Sequence, residues 1–181
     1  MKTLFIADPH FGHANIMRHS KRNFTSVEEM DEVMIKNWNS VVSNDDHIWI
    51  LGDFCYKSGR SPLDYLKALN GAKHFIVGNH DSHLLNQTPC RRLLESIDQI
   101  KSIEVDKKRI ILCHYPMVEW EGYFRGALHF YGHIHNNVEN DAYKIMKHVK
   151  GAYNAGADIL GLMPRTASEV IICNEEFWKN N

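Results

Sequence analysis

Short apolar runs alternate along this chain with segments of helical pattern, and this alternation constrains the fold more than any other feature. Four runs have the length and composition of strands buried on both faces: Leu4 to Ala7, Ile48 to Leu51, Phe75 to Val77 and Ile110 to Cys113. A helix fits between most of these runs, and this order is typical of α/β proteins. We therefore predict a β-sheet core that is flanked by helices.

Three helix starts are marked by their capping residues. Ser26 and Glu29 form a capping-box pattern that opens a helix to about residue 42, and Thr166 with Glu169 repeats it near the end of the chain. Pro62 suits the first turn of another helix. The segments 97–105 and 109–113 are too close for a helix between them, so they predict an antiparallel hairpin and a mixed sheet system.

Composition narrows the functional classes. The 181 residues, 44% of them hydrophobic, suffice for one domain with a sizeable core. The formal net charge of -1 provides no basic field for non-specific nucleic-acid binding. The first apolar run is too short for a signal peptide or a membrane span, so we expect a cytoplasmic protein with no membrane partner. Four scattered cysteines fit reduced thiols rather than disulfides or a thiolate metal site.

Polar side chains of three types, Asp, His or Asn, follow each of five apolar runs. In chain order these residues are Asp8 and His10, then Asp53, then Asn79, His80 and Asp81, then His114, and finally His133 and His135 after the run Leu128 to Tyr131. Ligands bind beyond the carboxyl ends of strands in open α/β sheets, because loops converge there. We expect these side chains to share one site.

The residue types indicate a metal site. Asp, His and Asn without Cys form an oxygen and nitrogen donor set that suits Mn, Fe or Zn rather than a structural zinc thiolate. This many donors exceed the needs of one ion, and two ions need a shared ligand. Asp53 is the candidate for this bridge, because a carboxylate has two oxygens. Each pattern alone also fits ordinary turn chemistry, but its recurrence at five strand ends favours a metal site.

The motifs resemble those of the calcineurin-like metallophosphoesterase superfamily. They are Asp8-x-His10, Gly52-Asp53, Gly78-Asn79-His80-Asp81, His114 and Gly132-His133-x-His135, in that order. The stretches DPHFGHANI, LGDF and NAGADILGLMPRTASEVI are similar to a group of small bacterial and phage phosphoesterases. The resemblance implies an α/β fold, a two-layer mixed β-sandwich flanked by helices, in a single domain over residues 1–181.

The resemblance also implies roles for the residues. It assigns Asp8, His10 and His135 to one divalent metal, Asn79, His114 and His133 to a second, Asp53 to the bridge and His80 to catalysis. It implies hydrolysis of a phosphomonoester or phosphodiester, in which hydroxide attacks in line and His80 assists the leaving group. Manganese is the expected metal, with iron, zinc or nickel as alternatives.

One departure from the superfamily concerns the residues after Gly52-Asp53. Its protein phosphatases continue as Gly-Asp-x-x-Asp-Arg-Gly, whereas Tyr56 stands here in the place of the second aspartate. A protein phosphatase is therefore not indicated, and the acidic partner of the catalytic histidine is missing.

Substrate contacts are harder to predict. His13, Arg18 and Arg125 are the candidates, although a basic run such as Arg18, Lys21 and Arg22 is usually a solvated face. Loops 11–25, 54–62 and 115–130 are expected to set specificity, and the aromatic residues of 115–130 fit either packing or stacking of a nucleobase. The remaining histidines read as surface or cap residues: His19, His47, His74, His83, His129 and His148.

Three functions remain open. The first is a phosphoesterase that acts on a nucleotide or another small phosphorylated molecule. The second is a nuclease with the same metal chemistry, although the charge does not indicate a nucleic-acid groove. The third is a non-catalytic protein-binding scaffold, as in a retromer subunit of similar fold. The oligomeric state is not predicted.

Overall fold

The computed structural model describes residues 1–181. Its strands are β1 (Thr3–Ile6), β2 (His47–Leu51), β3 (Ala72–Ile76), β4 (Leu94–Asp98), β5 (Ile100–Val105), β6 (Lys108–Cys113), β7 (Leu128–Tyr131), β8 (Ala152–Asn154) and β9 (Arg165–Thr166). Its α-helices are α1 (Ala14–His19), α2 (Val27–Val41), α3 (Pro62–Ala68), α4 (Ser82–Leu85), α5 (Thr88–Arg91), α6 (Asp141–Met146), α7 (Ala157–Leu160) and α8 (Ala167–Lys179).

The strands form two mixed sheets. The first has the order β4-β3-β2-β1-β9 and the second β5-β6-β7-β8. Strands β1 to β4 are parallel, and so are β6 to β8, whereas β9 and β5 add an antiparallel edge to the first and second sheet respectively. The prediction of two mixed sheets flanked by helices in one domain is confirmed.

Successive side chains along the parallel strands point to opposite faces of the sheet, and this explains how the layers pack. In β1, Phe5 faces the second sheet and contacts Phe130 edge-on at a ring distance of 5.0 Å. Leu4 and Ile6 face the opposite way, toward helices α2 and α3. Each large apolar side chain buried in this way contributes roughly 1.5–3 kcal/mol. On the outer face of the second sheet, α6 packs through Tyr143 and Met146.

The helix starts agree with their capping patterns. Helix α2 begins after Ser26, whose side chain accepts a hydrogen bond from the Glu29 N–H, and α8 begins after Thr166, which forms a capping box with Glu169 in the first turn. Pro62 occupies the first turn of α3. None of the helices has the length and apolarity that crossing a bilayer requires.

The hairpin prediction is right for β5 and β6 but wrong at its start. Strand β5 begins at Ile100, whereas Ile97 and Asp98 belong to β4 of the other sheet. The chain passes from one sheet to the other at Gln99. Strands β4 and β5 both lie at sheet edges, and more and less exposed side chains alternate along each of them. The sequence therefore shows one alternating pattern that runs from β4 into β5 without a break.

Candidate metal centre

The carboxyl ends of five parallel strands from both sheets meet at one edge of the molecule. The backbone N–H of Asp8, after β1, donates to the Gly52 carbonyl after β2 at 3.0 Å. The side chain of Asp8 accepts from the N–H of His133, which follows β7 in the other sheet, at 2.8 Å. The predicted ligands are therefore held together by bonds within the first sheet and between the two sheets.

Backbone conformation sets these residues apart from ordinary strand ends. Asp8, His10, Asp53, His133 and His135 all have positive φ angles, between 50° and 72°. Residues with a Cβ rarely adopt this left-handed region, and each instance costs roughly 1–3 kcal/mol. Backbone strain at five of the seven predicted ligands is typical of a functional site, where the positions of the side chains are maintained at a cost in local stability.

Glycines precede these residues because the backbones approach closely. A Cβ at Gly132 would collide with the Asp8 carboxylate, and one at Gly78 would collide with that of Asp53. Gly52 has φ +83°, and a Cβ there would lie 2.6 Å from Nδ1 of His114. The glycines of the motifs therefore give the carboxylates and imidazoles room to converge.

The first group of donors consists of Asp8, His10 and His135, whose donor atoms lie within 4.8 Å of one another. Both ring nitrogens of His10 and Oδ1 of Asp8 are buried without a hydrogen-bond partner. Burial, followed by the nearby charges of His135 and Arg22, lowers the pKa of His10 to about 2. A neutral imidazole with a lone pair on one ring nitrogen and an unpartnered buried carboxylate oxygen fit a divalent cation.

The second group consists of Asn79, His114 and His133. Oδ1 of Asn79 lies 3.1 Å from Nε2 of His114 and 3.0 Å from Nδ1 of His133. Nδ1 of His114 lies 2.8 Å from the Leu51 carbonyl, so it carries the proton and Nε2 keeps its lone pair. Three donors of the type that binds divalent cations therefore converge.

Asp53 lies between the two groups. Its Oδ2 is 3.6 Å from Nε2 of His10 and 3.7 Å from Nε2 of His114, while its Oδ1 accepts from the His80 N–H at 2.9 Å. Asp8 also lies near Asp53 and His114, within 4.8 Å. However, the His114 nitrogen 4.0 Å from Asp8 is Nδ1, which already pairs with a carbonyl. The position between Nε2 of His10 and Nε2 of His114 belongs to Asp53.

Two aromatic side chains surround the predicted catalytic residue, His80. Its ring lies 5.9 Å from that of His10 and 4.1 Å from that of Tyr56. Tyr56 also contacts His13 edge-on at 5.0 Å. No carboxylate is within ion-pair distance of His80, so its ring packs against Tyr56 without an acidic partner.

Asp158 and Arg22 support the site, and sequence reasoning missed both. Nδ1 of His135 lies 3.2 Å from Asp158, which pairs with the Arg22 guanidinium at 2.7 Å. Arg22 also donates to the carbonyls of Asp8 (2.9 Å) and Pro9 (2.7 Å), so it is buried and does not lie on a solvated face. Burial raises the pKa of Asp158, but the bond to His135 and the charge of Arg22 outweigh it and lower the pKa to about 2.

We expect Arg22→Met to lower the free energy of unfolding by about 3–5 kcal/mol, because it leaves a buried carboxylate and two carbonyls without their partner. Arg22→Lys keeps the charge but loses the fork of hydrogen-bond donors, so its free energy of unfolding should lie between those of the parent and Arg22→Met. Arg18→Met, at an exposed position of α1, is the matched control and should change stability by about 0.5 kcal/mol at most. Urea unfolding measures all three, and a loss below about 1 kcal/mol for Arg22→Met would contradict the expectation.

Asp81 ties two strand-end loops together. Its buried carboxylate accepts from the N–H groups of Asp53 (2.8 Å), Phe54 (2.9 Å) and Gly78 (2.7 Å). The loop after β2 is thereby fixed against the loop after β3. This arrangement explains the aspartate that ends the Gly-Asn-His-Asp motif: it orients the backbone of the loops that carry Asp53 and Asn79.

The other predicted contacts separate into near and distant residues. His13 lies beside His10, with a ring distance of 5.3 Å, whereas Arg18 is exposed on α1. Arg125 lines a different cavity with Lys107 and Lys108, at the end of β6 away from His114. The structure therefore brings only His13 of these three to the site.

The aromatic residues of loop 115–130 fall into two groups, one that packs the loop and one at the rim of the site. Trp120 is buried and donates to the Ala127 carbonyl at 2.9 Å, so it packs the loop. Tyr115 is 46% exposed and contacts His133 at 4.7 Å, at the rim of the site. His129 was predicted at the surface, which is wrong, because it is buried between the Ile111 carbonyl and the Met117 N–H.

Two cavities open beside the converging donors. One, of about 350 Å³ and here called the cavity of the donors, is lined by five of the seven donors (His10, Asp53, Asn79, His133 and His135), with His13, His19, Asn137, Asn140 and others. The second, of about 460 Å³, is lined by six residues of 55–62 and by four of 79–83. Asn79 and His80 line both cavities.

Comparison with known proteins identifies relatives over most of the chain. A family model described as calcineurin-like phosphoesterase matches residues 1–121. The uncharacterized protein MJ1445 of Methanocaldococcus jannaschii is 31% identical, covering 90% of this chain and 85% of that protein. The Gene 66 protein of Mycobacterium phage L5 is 30% identical, with 74% and 77% covered. A crystal structure of AQ665 from Aquifex aeolicus, a protein of unknown function, has a TM-score of 0.73 at 28% identity, covering 94% of this chain and 97% of the other.

Proposed function

The chain belongs to the calcineurin-like phosphoesterase family, and from that premise we propose that this metal-dependent phosphoric ester hydrolase cleaves a small phosphodiester such as a nucleotide ester. The observation that carries the proposal is the position of Asp53. Its Oδ2 lies between the Nε2 atoms of His10 and His114, at 3.6 Å and 3.7 Å. A carboxylate in this position has the geometry to join two cation sites.

Seven side chains would hold two divalent ions. Asp8, His10 and His135 would hold one, Asn79, His114 and His133 the other, and Asp53 would contact both. Bound divalent ions would polarise the phosphoryl group and lower the pKa of water. Manganese suits this oxygen and nitrogen set, and iron, zinc or nickel would also fit it.

The side chain of His80 is placed to act on the leaving group. Its backbone N–H is fixed by Asp53 at 2.9 Å, and its ring is held against Tyr56. The imidazole lines the cavity of the donors without being among them, so it can face a bound phosphate ester. We assign it the stabilisation or protonation of the leaving oxygen. His13, whose ring lies near those of His10 and Tyr56, would contact the substrate.

The two cavities favour a diester over a monoester. A diester has two ester arms, and the cavity of the donors adjoins a second cavity across Asn79 and His80. One arm can therefore extend past His80 while the phosphoryl group stays among the donors.

Free thiols in all four cysteines fit a reducing compartment, and we place the enzyme in the cytoplasm.

Metal removal and replacement test the proposed function. We expect metal-stripped protein to be inactive and Mn²⁺ to restore hydrolysis of bis-p-nitrophenyl phosphate, with a higher kcat/KM than for p-nitrophenyl phosphate. Lys36→Gln, an exposed substitution on α2, serves as the preparation control and should match the parent. A preference for the monoester would contradict the diester assignment, and no turnover with both metals bound would favour a scaffold.

A further inference from the structure

The cavity of about 460 Å³ on the far side of His80 has an unusual charge. Lys57 and Arg60 line it, together with two serines and two histidines, and no aspartate or glutamate does so. The chain as a whole has 22 acidic residues against 21 basic ones, so a lining without any carboxylate is a local feature. Such a cavity attracts anions.

Neither cation in this cavity is neutralised. Lys57 and Arg60 are exposed, and the ion pairs of the chain all involve other groups. Arg60 also borders a neighbouring cavity lined by Glu28, Asp31 and Glu32, but none of these carboxylates forms an ion pair with it, and Asp31 accepts from the Tyr65 hydroxyl and the Gly12 N–H instead. Both cations are therefore available to a ligand.

Aromatic rings hold the two cations on the cavity wall. The Lys57 ammonium lies 5.1 Å from the ring centre of Tyr56, and the same ring contacts His80 at 4.1 Å. The Arg60 guanidinium lies 4.9 Å from the ring of Tyr65. Cation–π contacts of this kind restrain long side chains without removing their charge. Tyr56 thereby links the leaving-group residue directly to the first cation.

We propose that this cavity binds a second phosphate group, carried by the leaving group of the substrate. The inference rests on the proposed function, because His80 defines the leaving-group side and lines both cavities. The scissile phosphate lies among the metal donors, and the second phosphate pairs with Lys57 and Arg60. A guanidinium and an ammonium are the side chains that proteins use for phosphate. The substrate class is therefore a phosphodiester whose leaving group is itself phosphorylated.

Paired ligands test the second phosphate in the manganese-loaded protein. Calorimetry compares adenosine 3′,5′-bisphosphate with adenosine 5′-monophosphate, and propane-1,3-diol bisphosphate with its monophosphate. We expect each bisphosphate to bind about tenfold more tightly than its partner, with the ratio declining at high salt. In Lys57→Gln/Arg60→Gln the ratio should fall below about threefold. Lys36→Gln/Lys150→Gln, which removes two exposed charges elsewhere, should keep the parental ratio.

The outcomes separate this inference from the proposed function. An advantage in both pairs supports a phosphate on any carrier, and an advantage in the nucleotide pair alone supports a nucleoside carrier. Equal binding within both pairs, or a ratio that persists in Lys57→Gln/Arg60→Gln, overturns the assignment. Hydrolysis of bis-p-nitrophenyl phosphate, which has no second phosphate, is measured on the same preparation. Turnover of that diester without a bisphosphate advantage means that only the cavity assignment fails.

Discussion

Asp53→Asn should lower diester turnover by about 10³-fold or more and reduce the content of both metals. The amide can keep its oxygen toward the His80 N–H, which Asp53 Oδ1 now accepts at 2.9 Å, so the loop stays in place. Its NH₂ group would then face the imidazoles of His10 and His114, where Oδ2 now lies. An amide NH₂ group offers no lone pair to a cation, and loss of several kcal/mol of charge stabilisation corresponds to this drop in rate.

Metal analysis and kinetics should be measured on the same Asp53→Asn sample. Asp45→Asn makes the same chemical change at an exposed position and should keep both metal content and rate. Circular dichroism establishes whether the variant is folded. A folded Asp53→Asn protein with full metal content and full turnover would overturn the bridging assignment.

His80→Ala should lower kcat by about 10²-fold or more while both metals stay bound. The imidazole lines the cavity but is not among the seven donors, so its loss removes no ligand. A residue that protonates the leaving oxygen matters most when that oxygen is a poor leaving group. The loss should therefore be larger for an alkyl diester than for bis-p-nitrophenyl phosphate.

Leaving-group dependence distinguishes chemistry from packing at this position. A purely structural role, such as support of the Tyr56 ring, would lower the rates of good and poor leaving groups by the same factor. His148→Ala, at an exposed position remote from the motifs, serves as the control. Metal loss in His80→Ala in proportion to the loss of rate would show that His80 acts through the metals instead.

The sequence predicts the strands and the site where patterns are local and repeated. The apolar runs around Phe5, Trp49 and Phe75 are buried strands, and the polar residues after them converge as expected. The short strands β8 and β9 have 3 and 2 residues, too few for a periodic pattern. Because the sequence does not predict β8, it gives no sign that Asp158 is another polar residue that closely follows a strand.

Pairing over long distances explains the other omissions. Arg22 and Asp158 are separated by 136 residues, and nothing near either residue indicates that they meet. A basic residue beside Lys21 has the appearance of a solvated face until its buried partner is known. Arg125 shows the opposite error, since proximity in sequence to aromatic residues near His114 did not place it at the site.

The distribution of the donors over two sheets has a consequence for biosynthesis. Asp8, His10, Asp53 and Asn79 belong to loops of the first sheet, and the three remaining histidines follow strands of the second, which are translated later. A nascent chain therefore holds only part of each donor group until the sheets dock. Because metal binding is coupled to folding, we expect the cation to be selected by the finished protein in the compartment where folding ends. A bound cation would add its binding free energy to the contact between the sheets.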